Sequence, residues 1–217
     1  MKDFLLKLFF PRFCLGCQKE GTYLCQDCLS LIDISNRFLK IDKNLSRLYF
    51  STDYENFIVK KLIKNFKYKP FAKDLSKTLI FLIIIYFQNL EKKPQFLEKK
   101  EEFILIPLPL HKKRLRWRGF NQAELIAKGL SDFLKIPLFS DVLIKNKKTL
   151  PQAKLPKEKR QENIRGAFFC KKPKIIKDKR ILLVDDVFTT GATMKEAARV
   201  LKKAGAKSVW GIVVAKE

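Results

Sequence analysis

The chain has 217 residues, enough for one ordinary domain with a small appendage or for two small domains. Hydrophobic residues make up 47% of it, which excludes an intrinsically disordered chain. The net charge of +24 is extreme for this length and points to polyanionic partners such as nucleic acid, anionic membrane or phosphorylated ligands. A lysine-rich composition also produces plain solvated surface, so charge alone does not choose among these.

Residues 1–10 are apolar with a few charges, but they run into Pro11 and cysteines rather than a small-residue cleavage site. The longest apolar run, 79–87, is too short to span a bilayer and reads as a buried helix. A soluble, cytoplasmic protein with no membrane span is expected. Thiols stay reduced there, and clustered cysteines favour metal over disulfides.

Cys14 and Cys17, then Cys25 and Cys28, form two C-x-x-C pairs. Zinc prefers four tetrahedral soft ligands, and each pair presents two thiolates to one ion. Gly16 lets the first pair turn tightly. With all four positions filled by protein, the ion would be structural; a redox pair is the competing reading. Residues 1–35 are therefore expected to form a zinc-ribbon-like element ahead of a main domain over 36–217.

Residues 47–53 read as a strand. In 56–66, Phe57, Ile58, Leu62, Ile63 and Phe66 recur at helical spacing, Pro70 ends that helix, and 73–90 forms another. Segment 91–102 carries Pro94 and mixed charge and reads as an exposed loop. Strands and helices then alternate: strand 103–106, helix 121–134, strand 180–184, helix 193–203 closed by Gly205, and strand 208–214. Continuous apolar strands in this order imply an α/β fold, a Rossmann-like parallel sheet with helices on both faces. His111 is the only histidine, which excludes a histidine-based metal centre or a Ser-His-Asp triad. Cys170 reads as an ordinary half-buried cysteine.

From Lys145 to Arg180 there are 14 lysines and arginines against three acids, with Pro151, Pro156 and Pro173 interspersed. Region 145–174 is read as a basic, flexible hood over phosphates, and equally as a track for a nucleic-acid backbone. Trp117 and Phe120 lie among Arg114, Arg116 and Arg118, where they could stack on bases or fill the core.

Ligands of parallel sheets bind beyond the carboxyl ends of the strands. At the end of strand 180–184 stand Asp185, Asp186, Val187, Phe188, Thr189, Thr190, Gly191, Ala192 and Thr193. The threonines offer hydroxyls, Gly191 lets the backbone curl, and the following helix aims its positive end at the same point. The two aspartates would repel the phosphate so cradled, so they need sugar hydroxyls or Mg²⁺. A ribose 5-phosphate unit satisfies both halves. A capped strand-to-helix turn with no ligand is the competing reading, but two acids, threonines and glycine in this order exceed what a cap needs.

The string from Val184 to Thr193 resembles the 5-phosphoribosyl-1-pyrophosphate (PRPP) motif of type I phosphoribosyltransferases. Pro107-Leu-Pro109, Arg118-Gly-Phe-Asn-Gln122, Gln152, Arg160, Asn163 and Gly166-Ala-Phe168, with the four cysteines and Phe66-Lys-Tyr68, resemble the ComF family (ComFC and GntX-like proteins). Lys69-Pro70 departs from the family's usual glycine there. The resemblance implies a type I phosphoribosyltransferase-like domain behind a four-cysteine zinc element. It implies PRPP and Mg²⁺ held by Val184, Asp185, Asp186, Val187, Thr189, Thr190, Gly191, Ala192 and Thr193, with Asp185 and Asp186 as the catalytic pair. It places Pro107, Leu108, Arg118, Gln122, Gln152, Arg160 and Asn163 around the pyrophosphate and hood. It also implies a part in DNA uptake during natural transformation, handling of incoming single-stranded DNA, and partners in the uptake machinery. A metabolic phosphoribosyltransferase acting on a nucleobase and a PRPP-responsive regulator are the alternatives.

Overall fold

The computed structural model describes residues 12–68, 72–147, 149, 156 and 159–217. The predicted elements form with small shifts at their ends. In chain order they are α1 (Gln26–Leu29), β1 (Phe38–Lys40), β2 (Arg47–Asp53), α2 (Phe57–Tyr68), α3 (Leu75–Asn89), α4 (Gln95–Glu98) and β3 (Phe103–Pro107). There follow α5 (Lys112–Arg118), α6 (Gln122–Leu134), β4 (Leu143–Lys145), α7 (Lys159–Ile164), β5 (Phe168–Cys170), α8 (Pro173–Ile176), β6 (Arg180–Phe188), α9 (Ala192–Lys203) and β7 (Ser208–Lys216).

Five strands make one sheet in the order β1-β2-β7-β6-β3. β1 is an antiparallel edge, and the other three pairings are parallel. Alternation along β6 sends Leu182 and Val184 into the core on one face and Ile181 and Leu183 into the core on the other. α2, α3 and α6 cover the first face and α9 covers the second, which is why both β6 and β7 read as unbroken apolar runs. β4 and β5 pair separately, antiparallel, beside α9.

Three expectations need correction. β6 does not stop at Val184 but continues to Phe188, because β7 stays alongside it until Phe188 faces Lys216. Segment 91–102 is not an open loop: it forms α4 and a helical turn at Lys100–Glu102, and it buries Phe96 completely. The Phe96 ring meets Tyr49 at 5.2 Å, Phe87 at 5.3 Å and Phe103 at 6.1 Å, all edge-on. The apolar pull of one aromatic outweighs the charged residues around it. The third correction concerns the hood, whose second part is built rather than loose. Ile164, Ala167, Phe168 and Cys170 are buried, so α7 and β5 pack as core, and Cys170 is buried rather than half-buried. Of the first part, 148, 150–155 and 157–158, including Gln152, lie outside the described residues.

The cysteine segment shares its core with the main domain, since Cys14, Cys25, Cys28 and Ile32 belong to the same buried cluster as Ile58 of α2. Position 35 therefore marks a change of local architecture and not a break in packing. No helix among the described residues is long and apolar enough to cross a membrane.

Truncating Phe96 to Ala should lower the stability of the whole domain by about 3–5 kcal/mol. Chemical denaturation measures this; a loss below about 0.5 kcal/mol would show that segment 91–102 is no part of the core.

Candidate functional site

The site begins with a mismatch in strand length. β3 ends at Pro107, opposite Val184, while β6 runs on. Asp185 and Asp186 thus lie in a strand that has lost its neighbour on one side, and a notch opens there. Leu108 closes the end of β3 with an N–H···O bond to the Val184 carbonyl at 2.9 Å. Asn121 Nδ2 donates to the Leu108 carbonyl at 3.0 Å and fixes the start of α6 on the same floor.

Beyond Phe188 the chain turns through Thr189, Thr190 and Gly191 into α9. Gly191 has φ of 74°, and a Cβ added to it would lie 2.2 Å from the Phe188 ring, so this turn admits only glycine. The Thr190 hydroxyl accepts from the Ala192 N–H at 3.4 Å. The leading amides of α9 have no carbonyl of their own helix to meet and lie on the cleft side of the turn.

The carboxylates are held by charge. Asp186 is only 5% exposed, and its Oδ1 lies 2.9 Å from Nζ of Lys67 at the end of α2. The Lys67 ammonium is disfavoured by burial, but Asp186 and Asp185 outweigh this and raise its pKa above the ordinary lysine value. Asp185 is partly open to the cleft, and its Oδ1 accepts from the Asp186 N–H at 2.9 Å. Burial and then the Asp186 charge push Asp185 up to about 7, against the pull of Lys67 and Lys145. Burial brings Lys145 down to about 8, helped by Arg114 and opposed by Asp185. Burial also lowers Arg118, with Asp186 pulling the other way. Arg118 Nη1 donates to Gln122 Oε1 at 2.6 Å, and Arg160 donates to the Thr189 hydroxyl at 3.2 Å.

All these groups line one cleft of about 760 Å³, within the size range of small-ligand sites. A depression of about 850 Å³ on the other flank of α9 is larger, and some of its charges are paired, Lys195 with Asp42 and Arg199 with Glu196. There Glu196 takes a two-pronged bond from Arg199 at 2.7 Å and the Gly166 N–H at 2.9 Å. The cleft beside Asp185 brings the paired aspartates, the turn at Thr189–Gly191 and several cations together.

Most of the expected residues meet here. Asp185, Asp186, Val187, Thr189, Thr190, Gly191, Ala192, Thr193, Leu108, Arg118, Gln122 and Arg160 border the cleft. Val184 and Pro107 lie buried behind it, pairing strand to strand. Asn163 sits on α7 and is not among the cleft-lining residues. Lys67 and Lys145 were not expected in the site. In the sequence Lys67 stands out only as part of the Lys-Tyr segment, and Lys145 only as the first of many hood lysines.

At the other end of α2 the four cysteine sulfurs lie within 4.8 Å of one another. Cys14 Sγ is 3.6 Å from Cys25 Sγ, and Cys17 Sγ is 3.5 Å from it, close to the roughly 3.8 Å edge of a tetrahedral zinc–thiolate site. The Cys25 and Cys28 amides donate to Cys14 Sγ and Cys25 Sγ, each at 3.4 Å. Burial and the neighbouring thiols push Cys28 up to about 12. Cys14 is opposed by burial too, yet the Cys17, Cys25 and Gly16 backbone groups bring it down to about 6. Four crowded thiols with amide donors are a donor set that could hold zinc.

A phosphoribosyl transferase domain model matches residues 119–217. Competence protein F of Haemophilus influenzae is 31% identical over 207 residues, covering 94% of this chain and 84% of that protein. The chain belongs to the ComF family. Two further relatives match over 105 residues, 48% of this chain. DNA utilization protein YhgH of Escherichia coli O157:H7 is 34% identical with 45% of its length covered. Competence protein ComFC of Bacillus subtilis (strain 168) is 38% identical with 40% covered. The stretch of this ComF chain that matches covers less than half of each of those two relatives. The domain match contains β6, its turn and α9, while Lys67 and α5 lie outside it.

The raised Asp185 has a consequence for stability. A carboxyl whose folded pKa of about 7 exceeds its unfolded value makes the native state bind the extra proton between about pH 4 and 7. Stability contributed by this group is therefore lost as pH rises through that window. Asp185→Asn should match the wild type near pH 4 and be more stable by about 1–2 kcal/mol at pH 8, a modest figure because cleft water reaches the group. Denaturation midpoints at the two pH values decide it; an equal effect at both would remove Asp185 as the titrating group.

Proposed function

We propose that this ComF-family chain binds a PRPP-type ligand in the cleft beside β6 and takes part in DNA uptake, handling single-stranded DNA in the cytoplasm. The observation that carries the ligand reading is the meeting, in one cleft, of the Asp185–Asp186 pair with the glycine turn and the cations Lys67, Arg118, Lys145 and Arg160. The sugar hydroxyls go to Asp185, the 5-phosphate to the amides and hydroxyls at the start of α9, and the pyrophosphate to the cations. Mg²⁺ fits the same reading: Asp185, whose carboxyl faces the cleft, would hold it directly or through water, and the ion would offset pyrophosphate charge. Asp186, already neutralised by Lys67, anchors the floor. The DNA reading draws on relatives named for competence and DNA utilization and on the net charge of +24. The four cysteines hold a structural zinc that fixes the start of α2.

Calorimetric titration with PRPP and Mg²⁺ tests the site. Wild type should bind, and the double variant Asp185→Asn, Asp186→Asn should lose at least about tenfold in affinity, the scale of a lost charge-assisted hydrogen bond. Undiminished binding by that variant would move the ligand elsewhere. Pyrophosphate release in the presence of a nucleobase would mark a transferase, and binding without release a sensor or handling factor. Affinity for single-stranded DNA should fall steeply with salt, and a flat response would remove the phosphate-tracking surface. Purified protein should carry one zinc per chain, and a chelator that extracts it should lower the melting temperature; an unchanged melting temperature would deny the metal a structural role.

A further inference from the structure

The strongest feature outside the ligand cradle is a pair of uncovered aromatics. Trp117 is 71% exposed and Tyr68 is 62% exposed, although rings of this size normally bury. They come from different elements, the end of α2 and the last turn of α5, and their centroids lie 6.4 Å apart at an interplanar angle of 61°. The Arg118 guanidinium sits 5.6 Å from the Tyr68 centroid. Both aromatics border the same cleft as Asp185 and Arg118. Phe120 behaves differently. It packs on Phe66 at 5.7 Å and is partly covered against the core, so it is spent on packing.

The geometry points to Tyr68 and Trp117 as a base-stacking platform for single-stranded DNA at the mouth of this cleft. The assignment rests on the nucleic-acid reading above and says where a strand lies. Two observations and one chemical argument choose this occupant. α5 carries Lys112, Lys113, Arg114, Arg116 and Arg118 and no acid, so cations flank the rings as a phosphate backbone requires. The rings are open to solvent on the cleft lip, which suits successive bases of a strand rather than one enclosed free base. An unpaired strand is required because a duplex hides the faces of its bases, and stacking on a face reads no sequence.

The chain supplies its own probe. It has two tryptophans, and Trp210 is only 3% exposed, so quenching by a bound strand reports on Trp117. The full-length, zinc-loaded protein is titrated with an oligothymidylate and with an abasic strand of equal length, following fluorescence and anisotropy. Oligothymidylate should bind more tightly than the abasic strand, and only it should quench Trp117. Trp117→Ala and Tyr68→Ala should each weaken oligothymidylate binding roughly fivefold or more, the scale of one lost stacking contact. Abasic-strand affinity should not change, and Trp117→Phe should recover most of the loss. Both side chains are exposed, so the variants should keep the wild-type circular dichroism. Equal affinity for the two strands, or wild-type oligothymidylate affinity in both alanine variants, overturns the platform while leaving salt-dependent DNA binding and PRPP binding intact. If wild type binds neither strand, the DNA reading itself fails and the platform with it.

Discussion

Two neighbouring acids in a strand that has outrun its partner set the terms for everything around them. Asp185 and Asp186 are carried by β6 past the end of β3, where one is sealed from water and the other half sealed. A buried carboxylate without a cation is strongly destabilising, and a well-made ion pair does little more than cancel that cost. Lys67 supplies the cancellation from the last turn of α2. Arg118, Lys145 and Arg160 complete the ring from α5, β4 and α7. Cations from separate elements thus outnumber the carboxylates that line the cleft and leave it positively charged.

α2 does two jobs at its two ends. Its first turn carries Ile58, and a Cβ on Gly16 would lie 3.4 Å from the Ile58 side chain and 2.4 Å from Cys28 Sγ. Its last residues are Lys67 and Tyr68. Nine residues of helix separate Ile58 from Lys67, about 14 Å along the axis. The cysteine cluster therefore braces the base of the rod whose tip reaches the carboxylates. This gives a physical reason for a four-thiol element in a protein whose candidate site lies elsewhere.

What the sequence made legible was local. The string from Asp185 to Thr193 and the paired cysteines each bring their chemistry together within a few residues: the string borders one cleft, and the four sulfurs cluster. Lys67 was not legible as the partner of Asp186 because the two meet only after β2, β7 and β6 have aligned. Phe96 was hidden by its neighbours: Pro94 and the surrounding charges signal a loop, while one fully buried ring decides the matter. The extent of β6 was missed because two acids look like a strand end, whereas the backbone pairing with β7 continues beneath them. For the aromatics among Arg114, Arg116 and Arg118, pattern could not say that Phe120 would pack and Trp117 would not, since the difference depends on Phe66 in another helix.

The place of β2 in the sheet has a bearing on how the chain assembles at the ribosome. β2 enters the parallel array only through β7, and the hydroxyl of Ser51 reaches the Val214 carbonyl across 163 positions. At ordinary elongation rates β2 waits roughly ten to thirty seconds for that partner to be synthesised. Through that interval β1 and α3 can cover part of β2, but its edge toward β7 has no partner, and closing so long a loop is the slow step that topology imposes. A chain lacking β7 would keep that edge of β2 unpaired.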